Sequence, residues 1–100
     1  MHPVVVRYTA KPGFEEELGR LVAGHWPALH REGLTSEQPA VVIGVGRQPG
    51  VFIEFYEWLS WEAVQGAHEH PAVREIWDAM ERVGRVEPWD GSYLVPPSRA

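Results

Sequence analysis

The fold is decided by the stretch from Val51 to Val83, which reads VFIEFYEWLSWEAVQGAHEHPAVREIWDAMERV. Its beginning, up to Trp58, is rich in β-branched and aromatic side chains, which is typical of a strand. The pattern then changes, at Leu59 and Ser60, to the three- and four-residue spacing of helices. A strand that leads this abruptly into a helix predicts that the rest of the chain supplies the strands and the helix that cover it.

Two helical segments are predicted after this strand. Ser60 is placed to cap the first, because its hydroxyl can accept a hydrogen bond from a backbone N–H of the first turn. Pro71 is tolerated in the first turn of a helix but not in its interior, so we predict a break at His70–Pro71 and a restart. The second segment carries an apolar stripe made of Val73, Ile76, Trp77, Met80 and Val83.

Three further strands are predicted outside this stretch. Val4 to Thr9 forms a strand that a Lys-Pro-Gly turn closes, and Val41 to Val45 forms a hairpin with Val51 to Trp58. Val86 to Trp89 is predicted to be irregular, and Ser92 to Val95 to be a short last strand.

One helix is predicted between the first two strands, from Phe14 to about Glu32. Pro27 removes a backbone donor there, so we expect a kink or break near Gly24 to Trp26. The apolar face of this helix consists of Phe14, Leu18, Leu21, Val22, His25 and Leu29.

The resulting order is strand, helix, strand, strand, helix, strand. Right-handed crossovers fold this order into an α+β, ferredoxin-like domain over residues 1–100, with a four-stranded antiparallel sheet and the helices on one face. The other face is then bare. On it we place the aromatic residues Phe52, Tyr56 and Trp58, with Arg7 and Glu54 close enough to pair. So much exposed aromatic area predicts a homodimer that packs through the sheet faces.

Composition limits the possible partners. The formal net charge of −5 argues against nucleic acid, because phosphate binding requires a clustered basic surface. The chain has no cysteine, which excludes disulfides and thiolate metal sites. No apolar run is long enough to cross a membrane, and the first residues lack the apolar core of a signal peptide, so we expect a cytoplasmic protein.

Several short motifs, spread over the whole chain, match the pattern of one known family. The opening VVVRYTAKPGFEEELGRLV is similar to its first strand and helix. The later motifs are, in chain order, Glu57-Trp58, Ser60, Ala63, Ala67-His68 and Pro71. In these features the sequence resembles the antibiotic biosynthesis monooxygenase-like group of the dimeric α/β-barrel superfamily.

This resemblance implies a homodimer whose sheets form a barrel, with a cleft between sheet and helices in each subunit. Members of the group include cofactor-free oxygenases of aromatic polyketides, haem-degrading enzymes and small isomerase-like proteins. The sequence departs from two of these branches. The oxygenase and haem-degrading branches use an asparagine near the first strand, and this chain contains no asparagine. The haem-degrading branch also uses a late histidine in the second helix, where this chain has Asp78.

The candidate site lies in the expected cleft. His68 shares a helical face with Trp61 and Val64, and a histidine in an apolar cleft is suited to proton transfer. Tyr8 is the second candidate catalytic residue, as a hydrogen-bond donor to an oxyanion or enolate. We expect the ligand-binding site to be lined by Trp26, Phe55, Glu57, Trp58, Trp61 and Trp77. Filling of the core and dimer seam is the alternative role for at least two of the tryptophans.

The triplet His68-Glu69-His70 suggests a metal site, but side chains two positions apart on a helix point in nearly opposite directions. Zinc or iron would also need a third ligand, which neither His25 nor His30 is obviously placed to supply. We therefore predict no metal and no organic cofactor.

Two functional hypotheses follow. The first is a protein that binds a small apolar or aromatic metabolite and oxidises or isomerises it, with His68 as the proton-transfer group. The second is a non-catalytic homodimeric module that binds a ligand or a protein. An open cleft that exposes His68 favours the first hypothesis, and a cleft filled by Trp26, Trp61 and Trp77 favours the second.

Overall fold

A computed structural model describes residues 1–88, and within them the predicted α+β, ferredoxin-like fold is confirmed. The elements are β1 (His2–Ala10), α1 (Glu15–Arg31), β2 (Val41–Gly44), β3 (Val51–Trp58), α2 (Trp61–Glu69), α3 (Pro71–Val83) and β4 (Gly84–Pro88). The four strands form one antiparallel sheet in the order β2-β3-β1-β4. The strand predicted at Ser92 to Val95 lies outside the described residues.

The last strand of this sheet begins earlier than the sequence indicated. Val86 was predicted to start an irregular segment, but β4 starts at Gly84, directly after α3, and pairs with β1. Pro88 does not prevent this, because β4 is an edge strand and an edge tolerates a missing backbone donor. The prediction of an irregular segment is therefore wrong for Val86 to Pro88.

The first helix is continuous through Pro27, so of the predicted kink or break the break is wrong. Two residues that flank the proline, His25 and Leu29, are both buried against the rest of the protein. Burial of side chains on both sides of Pro27 compensates for the hydrogen bond that proline cannot make. No helix within residues 1–88 is long and apolar enough to cross a membrane.

The break between the second and third helices is confirmed. Ser60 caps α2, because its hydroxyl oxygen accepts a hydrogen bond from the backbone N–H of Ala63 at 3.1 Å. His70 ends α2 and begins α3, and its Nδ1 accepts from the backbone N–H of Ala72 at 3.3 Å. Pro71 occupies the first turn of α3, where its ring and missing donor are tolerated.

The sheet face that we predicted to be bare is the one that the helices cover. Register pairs Val4 with Tyr56 and Val6 with Glu54, and these residues face the helices. The Phe52 ring lies over Gly19 of α1, where an added Cβ would come within 3.2 Å of it. The aromatic residues of β3 are therefore core residues, because packing them against the helices removes more apolar area from water than leaving them on the open face.

The opposite face carries Val5, Arg7, Ile53 and Phe55, with Val41 at its margin. Arg7 pairs in register with Ile53, whereas Glu54 points to the other side of the sheet. The predicted contact between Arg7 and Glu54 is therefore wrong. We call this surface, formed by residues that alternate with the core-facing ones on β1, β2 and β3, the open face.

Two groups of buried side chains hold the helices to the sheet. One consists of Tyr8, Leu18, Val22, Met80 and Val83. The other consists of Leu29, Tyr56, Trp58, Ala67 and Val73. Trp77 of α3 packs against both groups, so this residue joins the two halves of the core.

Gly84 provides a test of how β4 docks. A Cβ added there would lie 2.6 Å from the carbonyl oxygen of Thr9, which cannot move without breaking the sheet. We expect Gly84→Ala to lower the free energy of unfolding by about 1–3 kcal/mol. Chemical denaturation measures this value.

Gly66→Ala is the matched control, because the Cβ would meet nothing within 4 Å in the middle of α2. Alanine there should raise the free energy of unfolding by roughly 0.5–1 kcal/mol. Equal effects of the two substitutions would contradict the described contact between β4 and β1.

Candidate functional site

A cavity of about 680 Å³ lies between the covered face of the sheet and the helices. Its size is that of sites that bind small organic molecules. The sheet contributes Tyr8, Tyr56 and Trp58, α1 contributes His25, α2 contributes Trp61, Val64 and His68, and α3 contributes Trp77 and Glu81. Valines of β1 and β4 line the cavity as well, so its walls are mainly apolar, with aromatic rings and a few polar groups among them.

A chain of hydrogen bonds lies at the inner end of the cavity. Tyr8 donates its hydroxyl proton to Oε1 of Glu54 at 2.6 Å. Nδ1 of His25 lies 2.9 Å from the same oxygen. Glu54 is 0% exposed and His25 is 2% exposed, so the carboxylate and the imidazole are both shielded from water. A buried carboxylate requires such partners, because an unpaired one is costly.

Trp77 fixes the position of the proton on His25. Its indole Nε1–H lies 2.8 Å from Nε2 of His25, and an indole nitrogen can only donate. Nε2 must therefore be the acceptor, and the single ring proton of a neutral imidazole is on Nδ1, from which it is donated to Glu54. The contact between His25 and Glu54 is thus a hydrogen bond between a neutral ring and a carboxylate, and not an ion pair.

Burial and charge keep the tyrosines of the cavity protonated. Burial raises the pKa of the Tyr8 phenol well above its ordinary range, and the negative charge of Glu54 and its hydrogen bond raise it further. Burial, followed by the charge of Glu54, also raises the pKa of Tyr56. Neither residue is a stable phenolate at neutral pH.

His68 lies at the outer part of the cavity and is exposed. Its Nδ1 is 2.9 Å from the carbonyl oxygen of Val64, one helical turn earlier, and a carbonyl only accepts. Nδ1 therefore carries the proton, which leaves Nε2 of the neutral ring free to accept. The ring centroid lies 5.2 Å from that of Trp77, in an edge-on arrangement.

The structure brings five of the residues predicted for the site to the cavity. They are Tyr8, Trp58, Trp61, His68 and Trp77. Trp26 lies apart from the cavity wall and stacks on His30, with ring centroids 4.6 Å apart. Phe55 and Glu57 lie on the open face, where they line a different and smaller depression. Trp26, Phe55 and Glu57 therefore do not line this cavity.

Sequence reasoning missed the pair formed by His25 and Glu54. The signal was present, because each is a single polar residue within an apolar stripe. His25 interrupts the apolar face of α1, and Glu54 interrupts the row of Phe52, Tyr56 and Trp58 on β3. Two such interruptions on surfaces that pack together indicate a buried polar contact. The contact was not predicted, because the sequence analysis placed the helices on the wrong face of the sheet.

No three potential metal ligands of the His, Cys, Asp or Glu type come together within residues 1–88. His68 and His70 do not converge on one point. His68 lines the cavity, whereas His70 caps α3 and its Nε2 lies 3.0 Å from Oε1 of Glu32.

Several solved structures share this fold. An antibiotic biosynthesis monooxygenase is 17% identical, with a TM-score of 0.70 over 90% of this chain and 97% of that one. SnoaB, a cofactor-independent oxygenase from Streptomyces nogalater, is 15% identical, with a TM-score of 0.72 over 87% of this chain and 86% of that one. Rv0793 from Mycobacterium tuberculosis is 14% identical, with a TM-score of 0.67 over 98% of this chain and 96% of that one.

These likenesses confirm the resemblance seen in the sequence at the level of the fold, which is that of the antibiotic biosynthesis monooxygenases. At such identities the likeness establishes the fold alone. The sequence matches no family model and no curated protein.

The raised pKa values of Tyr8 and Tyr56 predict a loss of stability in alkali. An unfolded tyrosine loses its proton near pH 10, whereas the folded protein retains both protons well beyond that pH. Since the unfolded state then binds fewer protons, the free energy of unfolding should fall as pH rises above about 10.

Urea denaturation at a series of alkaline pH values measures this slope. Tyr8→Phe should make the slope shallower, because one of the two retained protons is removed. A parent protein whose stability stays constant up to about pH 11 would contradict the burial of these phenols.

Proposed function

We propose that this protein binds a small apolar or aromatic metabolite in the cavity between sheet and helices. The observation that carries the proposal is the open cavity of about 680 Å³ with aromatic walls. Trp58 and Trp77 supply flat surfaces on which a planar ligand can stack. Trp61 is 54% exposed, which leaves it free to close over a ligand at the mouth.

The polar groups of the cavity favour chemistry on the ligand over passive binding. Nε2 of His68 is free to take a proton, and removal of a proton is a first step that oxidation and isomerisation of such metabolites share. Among the proteins of the same fold, SnoaB is described as a cofactor-independent oxygenase. This likeness supports a reaction that needs no organic cofactor.

We further propose that two copies of the chain pair through their open faces. Apolar residues on this face, Val41, Ile43 and Phe55 among them, are exposed or only half-buried. A second copy would cover this apolar area and remove it from water.

The ligand proposal is tested by thermal-shift measurements with flat phenols, quinones and haem. A ligand present at a hundred times its dissociation constant should stabilise the parent by about 2.7 kcal/mol. His68→Ala should weaken binding of the same compound by roughly tenfold, because one hydrogen bond of about 1 kcal/mol and its ring contact are lost.

Gln65→Ala is the control for this variant, since Gln65 is an exposed residue of the same helix that does not line the cavity. It should bind like the parent. Equal stabilisation of the parent and of His68→Ala would remove His68 from the site, and failure of every compound to stabilise the parent would contradict the proposed function.

The dimer is tested by a charge placed on the open face. Phe55→Asp should convert a dimeric parent into single chains, because a buried unpaired carboxylate opposes association. Val42→Asp is the control, because Val42 is exposed and lies on the same sheet but on its other face. Sedimentation at micromolar concentration measures the assembly, and a parent that sediments as single chains would disprove the pairing.

A further inference from the structure

Glu54 and His25 form the most deeply buried polar pair in the described part of the chain, and the proposed reaction does not yet use them. Glu54 belongs to the central strand β3 and His25 to the middle of α1. A pair of ionisable side chains in such a place costs free energy unless its hydrogen bonds are satisfied. The direction of those hydrogen bonds determines which atoms near the pair can still accept or donate a proton.

Three hydrogen bonds of the network run toward the carboxylate, and the Nδ1–H of His25 also lies 3.3 Å from the Tyr8 oxygen, which accepts from it. Trp77 donates to His25, His25 donates to Glu54, and Tyr8 donates to Glu54. A phenol has only one proton, and that of Tyr8 is directed at Oε1 over a distance of 2.6 Å. What Tyr8 can offer to the cavity is consequently the lone pair of its oxygen that does not face His25.

We propose that Glu54, held in place by His25 and Trp77, is a positioning residue that makes Tyr8 a proton acceptor toward the ligand. This inference rests on the proposed function, because it concerns a ligand in the same cavity. It reverses the role expected for Tyr8, which was that of a donor to an oxyanion. The ligand that fits this inner end carries a hydroxyl group and no negative charge.

The proton route balances without any further reactant. The hydroxyl group of the ligand transfers its proton to the oxygen of Tyr8, while the Tyr8 proton moves to Oε1 of Glu54. The ligand becomes an anion and Glu54 a neutral carboxylic acid, so the total charge of the site is unchanged. The two transfers occur together, because burial and Glu54 raise the pKa of Tyr8 and a separate phenolate or phenol cation is not formed.

The surroundings of Glu54 leave one of its two oxygens unpaired. Its second oxygen, Oε2, is buried and has no hydrogen-bond partner among residues 1–88. The other titratable groups that face the cavity are Tyr56, which stays protonated, and His68 and Glu81 in its outer part. The buried carboxylate and Glu81 both repel an anionic ligand, which is why the ligand has to enter with its hydroxyl protonated.

The first measurement requires no ligand. The ¹⁵N chemical shifts of the His25 ring distinguish the proton on Nδ1 from the proton on Nε2 and from the charged ring. We expect a proton on Nδ1 and none on Nε2, as the contacts with Glu54 and Trp77 require. A proton on Nε2, or a charged ring, would leave the indole N–H of Trp77 without its acceptor and overturn the inference.

The second measurement uses 4-nitrophenol, whose absorption spectrum distinguishes the phenol from the phenolate. At a pH about one unit below its solution pKa, we expect the probe bound to the parent to be mainly phenolate. Glu54→Gln keeps the shape of the side chain but accepts a proton far less readily, so the ratio of bound phenolate to bound phenol should fall at least tenfold. Glu75→Gln, an exposed substitution with the same change of charge, should behave like the parent.

Tyr8→Phe provides a second route to the same result if Glu54→Gln does not fold. It removes the oxygen that passes the proton on, so it should lower the phenolate fraction as much as Glu54→Gln. The double variant should show no further loss, because both substitutions interrupt one path. An unchanged phenolate fraction in the variant that folds would overturn the inference.

Failure of the proposed function looks different from failure of this inference. A parent that binds neither 4-nitrophenol nor any of the other compounds contradicts the proposed function, whereas the His25 spectrum still decides the direction of the network. A parent that binds the probe only as the neutral phenol upholds the proposed function and contradicts the role of Glu54.

Discussion

The arrangement of the protein depends on one carboxylate, that of Glu54, which is placed where no water reaches it. An ionised side chain in such a position has to receive hydrogen bonds from its neighbours. Tyr8 of β1 and His25 of α1 supply them, and Trp77 of α3 holds His25 in turn. A strand, two helices and the central strand that bears Glu54 are therefore fixed relative to one another by directional contacts, in addition to the apolar packing around them.

This constraint explains why the cavity stays open. Aromatic side chains alone tend to close a space by changing rotamer, but those of Tyr8 and Trp77 are each committed to a hydrogen bond. Trp58 packs edge-on against the fixed ring of Trp77, and Tyr56 packs edge-on against Trp58. The result is a rigid inner end and a more exposed outer end with His68 and Trp61, a division suited to holding one part of a ligand firmly while admitting it from the other side.

The sequence was sufficient for features that depend on neighbouring residues. Ser60 and Pro71 mark helix ends by their own chemistry, and the alternation from Val51 to Trp58 defines a strand by itself.

The sequence was insufficient where the outcome depends on which other element packs against a surface. Both faces of β3 are apolar enough to be buried, so periodicity could not say which of them meets the helices. That one uncertainty misplaced Glu54 and Phe55 together, because a strand turned over exchanges all its side chains at once. The break predicted at Pro27 is wrong for a related reason, because local chemistry favours a break that tertiary packing prevents.

The short strand β2 has a consequence of its own. Val41 to Gly44 forms one margin of the sheet, and its outer backbone groups pair with nothing else in residues 1–88. Natural proteins usually guard such a margin with lysine, proline or a bulge inside the strand. This one reads Val-Val-Ile-Gly, without a charge, and its three large side chains are exposed. The protein thus carries a ready template for strand addition, so concentrated or partly unfolded samples should aggregate through this edge before any other part of the sheet.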